Sequence, residues 1–211
     1  MNSTSLKSFL TSHLNVDEQD ILTLLSHCTT KKVKKDTFLL RKNERCSHTF
    51  FVEKGLLRQY SIDEKGKEHI LAFAPESWFV TDRESSYFNA PSAYYIQALE
   101  DSQIVLIDEN FIQGLSEKVP SFTNFNNRLL HNHIRHLQRR VNTLLSDSAK
   151  ERYLQFIKTY PDILIRVPQT MVASYLGITP ESLSRVRREL ARKNQVNYLG
   201  ASSRGIKKNT P

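Results

Sequence analysis

Cysteine is scarce in this sequence, which holds only Cys28 and Cys46 among its 211 residues. Two thiols cannot supply the four ligands that an iron–sulfur cluster usually takes, and they cannot form a disulfide framework. We therefore interpret both as reduced structural thiols rather than as sensors.

Long apolar runs are also missing. The longest uninterrupted stretches, such as residues 70–74, are far too short to span a bilayer, which takes about 20 residues. Residues 1–14 lack the apolar segment of a signal peptide. The sequence thus predicts no membrane partner and a cytoplasmic location.

Signatures of catalysis are absent as well. The chain has no Gly-rich phosphate loop ending in Lys-Ser/Thr and no Ser elbow flanked by glycines. His48 and His69 form no His-x-His pair, whereas a cupin-like enzyme needs several histidines and a carboxylate on neighbouring strands. We predict no catalytic residue and no cofactor, and a cupin-like metal-dependent enzyme remains one alternative function.

Two further histidines, His133 and His136, lie three residues apart on one face of a predicted helix. This spacing can serve a metal, and haem stays open in principle, but no Cys or carboxylate joins them at helical spacing. We interpret them as interface or solvent-facing residues and predict no metal site.

Acidic residues are scarce in the C-terminal part of the chain. Residues 1–120 hold 14 Lys and Arg against 17 Asp and Glu, whereas residues 121–211 hold 16 against 5. A merely solvated helical surface usually carries both signs. The imbalance therefore favours a polyanion as partner, because Lys and Arg release counterions from phosphates.

A helix-turn-helix pattern occupies residues 169–186, with the sequence QTMVASYLGITPESLSRV. The small Ala173 stands where a second helix would cross, Gly177 suits a left-handed turn, and Thr179 can cap a helix that begins at Pro180. Two ordinary core helices can share such a Gly turn, but the joint agreement of all these positions predicts DNA binding. Five apolar residues fall where the helices would meet: Val172, Leu176, Ile178, Leu183 and Val186.

The second helix of this pattern has a polar face and an apolar face. Glu can accept a hydrogen bond from cytosine and Arg can donate two to guanine, so Glu181 and Arg185 are the predicted base readers. The polar face recurs at spacings of four, three and four, and consists of Glu181, Arg185, Arg188 and Arg192. The apolar face consists of Leu183, Val186 and Leu190.

Other residues of the motif are predicted to hold phosphates through side chains and helix N-termini. For Arg187 and Arg192, a phosphate contact and a solvated position are about equally favoured. The predicted phosphate contacts are Gln169, Thr170, Thr179, Ser182 and Arg188.

Residues 37–107 have a different texture. Short stretches rich in aromatic and β-branched residues alternate with turn signals at residues 42–43 and 63–66. Strands without intervening helices predict an antiparallel sandwich or barrel, as in a jelly roll. The predicted strands lie within residues 37–40, 49–62, 67–74, 93–100 and 102–107.

Helical periodicity returns after Asp108, first to Lys118 and then over residues 121–145. The apolar stripe of the longer helix is wide enough to cover its own domain on one side and to pair with a second copy on the other. We predict a homodimer built on this helix, because its polar content disfavours complete burial within one subunit. One line holds Phe122, Phe125 and Leu129, and its neighbour holds Leu130, Ile134, Leu137, Val141 and Leu144.

Smaller elements complete the expectation. Residues 17–27 predict a short amphipathic helix, and the capping box from Ser148 to Glu151 opens a helix that Pro161 stops. Residues 163–168 are predicted to be a short strand or an extended connection. After Asn194 we expect one β-ribbon strand and about ten disordered residues.

The order of these parts resembles the bacterial CRP/FNR superfamily of transcription regulators over nearly the whole chain. Similar strings, also typical of the family's branch common in the Bacteroidetes, are FFVEKGLLRQY, LAFAPESWFVTDRES and SAKERYLQFIKTYP, the last followed by RVPQTMVASYLGITPESLSRVRREL. The resemblance implies an α+β chain with an antiparallel, cyclic-nucleotide-binding-like jelly roll as sensor (residues 1–119). A dimerisation helix (120–146) and a winged helix-turn-helix domain (147–211) would follow. The implied partners are double-stranded DNA, a second copy of the chain and RNA polymerase.

The family's ligand motif does not carry over. Members that bind cAMP have a Gly-Glu pair and, further along, an Arg-Ser or Arg-Ala pair that holds the cyclic phosphate. The matching positions here are Thr81-Asp82 and Ser92-Ala93. A buried phosphate without its Arg loses a charge-assisted partner, so we predict no cAMP response and leave the small-molecule effector unknown. Arg83 could reach another acidic ligand but is more typical of a surface ion pair.

The resemblance also departs at residue 180. Relatives often have a base-contacting Arg there, and this chain has Pro, so one guanine contact should be missing. A second alternative function, a ligand-binding module that acts through protein partners, would not require the Glu and Arg set of the recognition helix.

Overall fold

The computed structural model describes residues 5–14, 18–26 and 28–204. By compactness the chain divides into two units, Met1–Gln138 and Arg139–Pro211, and the boundary falls inside the long helix. The strands are β1 (Thr29–Val33), β2 (Phe38–Leu40), β3 (Thr49–Lys54), β4 (Leu57–Ile62), β5 (Glu68–Ala74), β6 (Phe79–Val80), β7 (Tyr95–Ala98) and β8 (Ser102–Ile107). The helices are α1 (Leu6–His13), α2 (Glu18–Leu25), α3 (Arg83–Phe88), α4 (Glu109–Lys118), α5 (Phe122–Ser146), α6 (Ala149–Thr159), α7 (Ile163–Arg166), α8 (Gln169–Leu176) and α9 (Pro180–Arg204).

The first unit contains two four-stranded sheets, with strand orders β1-β8-β3-β6 and β2-β7-β4-β5, and every pairing is antiparallel. Side chains of both sheets form one buried cluster, in which Val52 and Ile104 from the first meet Leu57 and Ile96 from the second. Burial of this apolar surface holds the sheets together. The predicted jelly-roll architecture is confirmed.

A second core lies where helices pack on the first sheet. Leu10 of α1, Leu115 of α4 and Phe125 of α5 join Phe51 and Val105 of the sheet. The helices thus bury the other face of β3 and β8. The short helix α3 contributes no residue to either cluster.

Gly55 makes the tight connection between β3 and β4 possible. Its φ of 102° lies in the left-handed region, and an added Cβ would stand 2.2 Å from Ser102 Oγ. Only glycine fits a backbone that approaches its neighbour this closely.

The two apolar lines of helix α5 have different surroundings. Phe122 and Phe125 are buried in the helix-covered core, and Leu129 packs against it. The second apolar line is exposed over most of its length: Ile134 by 51%, Leu137 by 46% and Val141 by 56%.

Two predictions about local structure were wrong. Residues 163–166 form the helix α7 rather than a strand, because Ile163 and Val167 are both buried while Ile165 between them is 86% exposed. Residues four apart share a helix face, whereas alternate residues of a strand would have pointed together. The backbone N–H of Val167 donates to the carbonyl of Ile163 at 3.1 Å, which closes the turn.

The expected β-ribbon strand after Asn194 is also replaced by helix, since α9 continues to Arg204. A helix pairs its backbone groups internally, whereas a single strand would need a partner, and the described residues of the second unit supply none. The winged part of the expected domain is therefore not confirmed, and residues 205–211 lie outside the described residues. Within the described residues, no helix is long and apolar enough to cross a bilayer.

Candidate nucleic-acid interface

The turn between α8 and α9 is built around Gly177. Its φ of 64° and ψ of 36° are left-handed, and its N–H donates to the carbonyl of Ser174 at 3.1 Å. The N–H of Ile178 reaches the carbonyl of Ala173 at 3.0 Å. These two bonds form a Schellman motif, which ends α8 and redirects the chain into α9.

Apolar contacts fix the two helices against each other. Val172, Ala173 and Leu176 of α8 are buried, as are Leu183 and Val186 of α9. These residues were predicted to meet, and their burial confirms the packing that a helix-turn-helix motif requires.

An aromatic cluster supports the motif from the α6 side. The rings of Phe156, Tyr160 and Tyr175 are mutual neighbours, with centroids 5.3 to 5.7 Å apart. All three residues are buried. Close aromatic packing leaves Tyr175 on α8 little freedom to move.

Thr179 caps α9 as predicted. Its Oγ1 accepts from the backbone N–H of Ser182 at 3.2 Å, and its hydroxyl lies 3.2 Å from Ser182 Oγ. The structure thus brings together two of the predicted phosphate contacts. Helix N-termini carry partial positive charge, which suits an anionic backbone.

Glu181 is exposed on the first turn of α9. Hydrogen bonds from its own backbone N–H and from the Thr179 hydroxyl hold the pKa of its carboxyl below the usual value. The side chain is therefore an ionised acceptor at neutral pH, as contact with a cytosine amino group needs.

The remaining predicted contacts are open to solvent. Arg185, Arg188, Gln169 and Thr170 are exposed, whereas Ser182 is half-buried. Neither Arg185 nor Arg188 has a hydrogen bond or ion pair with another residue in the described part of the chain. Of the two undecided arginines, Arg192 is exposed and Arg187 is half-buried.

Two arginines from outside the motif bind the C-terminal carbonyls of α8. Arg140 Nη2 on α5 donates to the carbonyl of Tyr175 at 2.9 Å, and Arg152 Nη1 on α6 donates to that of Leu176 at 2.7 Å. The Arg140 guanidinium also lies 3.6 Å from the centroid of the Tyr175 ring. Sequence analysis missed both residues, because they are 35 and 24 positions from their partners.

In the first unit, the positions that match the family's phosphate cassette bind each other. Asp82 caps α3 by accepting from the backbone N–H groups of Glu84 and Ser85, and Ser92 Oγ donates to Asp82 Oδ2 at 2.6 Å. Thr81 is also engaged, since its hydroxyl donates to the carbonyl of His48. Ala93 follows Ser92 and is exposed.

Arg83 lies beside this cassette, at the start of α3. Partial burial lowers the pKa of Arg83, and the nearby carboxylate of Glu109 opposes that shift. Arg83 and Glu109 both line an open pocket between α3, α4 and α5. Arg83 forms no salt bridge with another residue in the described part of the chain, so its assignment to a surface ion pair is not confirmed.

The described residues contain no group of three or more His, Cys, Asp or Glu able to hold an ion, so His133 and His136 of α5 belong to no such group. The pKa of His133 is lowered, first by desolvation and then by the charges of Arg83 and His136. His136 packs edge-on against Trp78, with ring centroids 6.4 Å apart.

Comparison with known proteins adds independent information about both units. A cyclic nucleotide-binding domain family matches residues 30–118, which is the region of the two sheets. The anaerobic regulatory protein of Pasteurella multocida is 25% identical over 181 residues. That match covers 81% of this chain and 66% of the relative, so the matched stretch spans about two thirds of that protein.

Solved structures share the architecture. FixK2 from Bradyrhizobium japonicum has a TM-score of 0.67 at 18% identity, with 79% of this chain and 86% of that chain covered. A transcriptional regulator of the crp/fnr family from Eubacterium rectale has a TM-score of 0.63 at 19% identity, with 87% of each chain covered. At this level of identity the likeness establishes the fold.

Proposed function

Because this chain belongs to the CRP/FNR superfamily of transcription regulators, we propose that it regulates transcription by binding DNA through α8 and α9. One observation carries the proposal. Glu181, Arg185 and Arg188 are exposed on α9, opposite the buried Leu183 and Val186 that lock the helix in place. A rigid helix with such a face suits the major groove of DNA.

Each exposed group has a chemical role in this proposal. Glu181 accepts from cytosine, and Arg185 donates to guanine O6 and N7. The other contacts fix the protein on the sugar-phosphate backbone and carry no sequence information. They are made by Gln169, Thr170, Thr179, Ser182 and Arg188.

The working form is a homodimer. The exposed apolar residues of α5 recur at spacings of three and four, which is the pattern of a coiled-coil seam. Leaving this line in water would be unfavourable, and a second copy of α5 would bury it. Along the chain, residues 1–119 serve as the sensor, residues 120–146 as the dimerisation helix and residues 147–211 as the DNA-binding domain.

Further partners follow from this role. A cytoplasmic regulator that binds promoter DNA meets RNA polymerase, and we include it among the proposed partners. We infer that the effector of the sensor is not cAMP. The hydrogen bond between Asp82 and Ser92 supports this inference, because it engages both cassette positions. Membership of the branch common in the Bacteroidetes stays a prediction from the sequence.

An enzymatic role is not favoured. His69 pairs with Asp63 on the surface, and His48 contacts Ser47, so the two histidines have separate surroundings. The relatives described above are regulators. A stoichiometric transition metal in the purified protein would nevertheless revive the cupin-like alternative.

Fluorescence anisotropy with bulk DNA across a salt series tests the proposal. A DNA reader should lose affinity steeply as salt rises, because each phosphate contact releases counterions. The double variant Arg185→Ala/Arg188→Ala should bind more weakly and with a smaller salt slope. The control Lys65→Ala/Lys67→Ala, which removes the same charge from an exposed turn of the first unit, should match the wild type. Salt-independent binding would instead favour a module that acts through protein partners.

A further inference from the structure

The motif that reads DNA is attached to the end of α5 by a small set of contacts within the second unit. The first is Arg140, which donates to the last-turn carbonyl of Tyr175 at 2.9 Å and stacks on the Tyr175 ring at 3.6 Å. The second is the approach of Leu144 to Gly177, where an added Cβ would lie 3.3 Å from Leu144 Cδ2. Arg152, which lies on α6, donates to the carbonyl of Leu176 at 2.7 Å and holds α8 against α6.

These contacts are chemically well matched. The last carbonyls of a helix have no intrahelical partners and carry partial negative charge, so a guanidinium there both donates a hydrogen bond and neutralises the dipole. The planar guanidinium can also stack on an aromatic face. Tyr175 is buried against Phe156 and Tyr160, so its ring has little freedom to rotate. The Arg140 guanidinium therefore stacks on a ring of fixed orientation.

The covalent connection alone would leave the motif free to rotate. The helix α5 ends at Ser146 and α6 begins at Ala149, so only Asp147 and Ser148 separate them. A two-residue connection limits distance but sets no unique angle. Side-chain contacts to α8 must therefore fix the direction in which α9 leaves α5.

We propose that Arg140 is a positioning residue that locks the helix-turn-helix motif onto the end of α5 and thereby sets the spacing of DNA half-sites that the dimer accepts. This role rests on the proposed function. In a dimer held together along α5, the angle between each motif and its own α5 determines the separation of the two recognition helices. By this proposal, Arg140 determines which half-site spacing the dimer prefers without contacting a base.

The test compares binding to duplexes that carry the same two half-sites at different separations. One duplex has the separation preferred by the wild type, and the others are longer or shorter by about two base pairs. The variants are Arg140→Met, which removes the hydrogen bond and the stacking, and Arg140→Lys, which keeps the charge but not the planar fork. Arg139→Met is the matched control, because Arg139 is the exposed neighbour on the same helix.

The wild type and Arg139→Met should share one preferred separation. For Arg140→Met, the discrimination between separations should shrink by about tenfold, as expected for loss of a charge-assisted hydrogen bond, while the salt slope stays unchanged. Arg140→Lys should behave like Arg140→Met. If Arg140→Met melts below the assay temperature, Arg140→Lys carries the comparison.

Two results would overturn the role of Arg140. A uniform loss of affinity at all separations in both variants would mean that Arg140 stabilises the fold or contacts phosphate. Unchanged discrimination in both would mean that other contacts set the spacing. By contrast, a wild type that binds none of the duplexes would refute the proposed function itself, and the positioning role with it.

Discussion

The hydroxyl of Ser92 donates a 2.6 Å hydrogen bond to the carboxylate of Asp82, and both side chains are buried. Asp82 at the same time caps α3 through the N–H groups of Glu84 and Ser85. A buried carboxylate is stable here because its oxygens have donors. By the resemblance described above, Ser92 stands at the position where cAMP-binding relatives have the Arg that holds the cyclic phosphate.

The first prediction is that cAMP does not bind. A cyclic phosphate would have to displace the Ser92 hydroxyl and approach the Asp82 carboxylate without an Arg to offset the repulsion. Isothermal titration calorimetry of the whole protein should show no heat of binding at micromolar cAMP. Micromolar affinity, or a gain in DNA affinity on adding cAMP, would refute the prediction.

The second prediction concerns the dimer. The double variant Leu137→Glu/Val141→Glu would place like charges along the interface of two α5 helices, and light scattering should detect monomers. Asn142→Glu adds charge at an exposed position beside the apolar line and should leave the dimer intact. A wild-type protein that is monomeric at micromolar concentration would show that the exposed line has another use.

Much of this architecture was predictable because most elements carry a recognisable pattern in their own local sequence. The helix α5 has two apolar lines, the capping box opens α6, and Gly177 marks the turn between α8 and α9. The exposed Glu and Arg face of α9 followed from spacing alone. Periodicity and capping are local signals, and in these elements the tertiary contacts favour the same secondary structure as the local sequence.

Other elements lacked such a signal. The edge strand β1 is rich in Lys and has four exposed residues in a row, so it shows neither the alternation nor the apolar content of a typical strand. The helix α3 is only six residues long and depends on the Asp82 cap. The hydrogen bond from Arg140 to Tyr175 could not be inferred, because nothing in the sequence brings α5 next to α8.

The third prediction is that Cys28 is unreactive. Burial, and to a lesser extent the charge of Asp108, raises the pKa of the Cys28 thiol to about 11. At pH 8 only about one thiol in a thousand is then ionised, and the thiolate is the reactive form. Alkylation followed by mass spectrometry should be about a hundredfold slower in the folded protein than in urea. Equal rates would contradict the interpretation of Cys28 as a structural thiol.

The fourth prediction links Glu181 to pH. Because the folded protein holds the pKa of Glu181 below the usual value, the ionised acceptor persists as the pH falls and is lost only below that lowered pKa. Base preference at the position read by Glu181 should therefore be the same at about pH 7.5 and about pH 5.5. Glu181→Gln, which resembles the protonated group, should change that preference at both pH values. A preference that fades at the lower pH in the wild type would count against the assignment.

The fifth prediction concerns the operator and the separate roles of base-contacting and phosphate-contacting residues on α9. Two recognition helices in a dimer should meet successive major grooves about 34 Å apart. Arg185→Ala should weaken binding by about 1–3 kcal/mol and relax preference at one position in each half-site. Arg188→Ala should weaken binding to all sequences alike and lower the salt slope by about one.

In vitro selection of bound DNA, carried out in parallel with the wild type and with Arg185→Ala, tests the central claim most directly. The wild type should select an inverted repeat whose half-site centres are about one helical turn apart. Arg185→Ala should select the same repeat with one position relaxed in each half. Selected sequences without dyad symmetry, or an unchanged preference in Arg185→Ala, would show that this face of α9 does not read DNA as proposed.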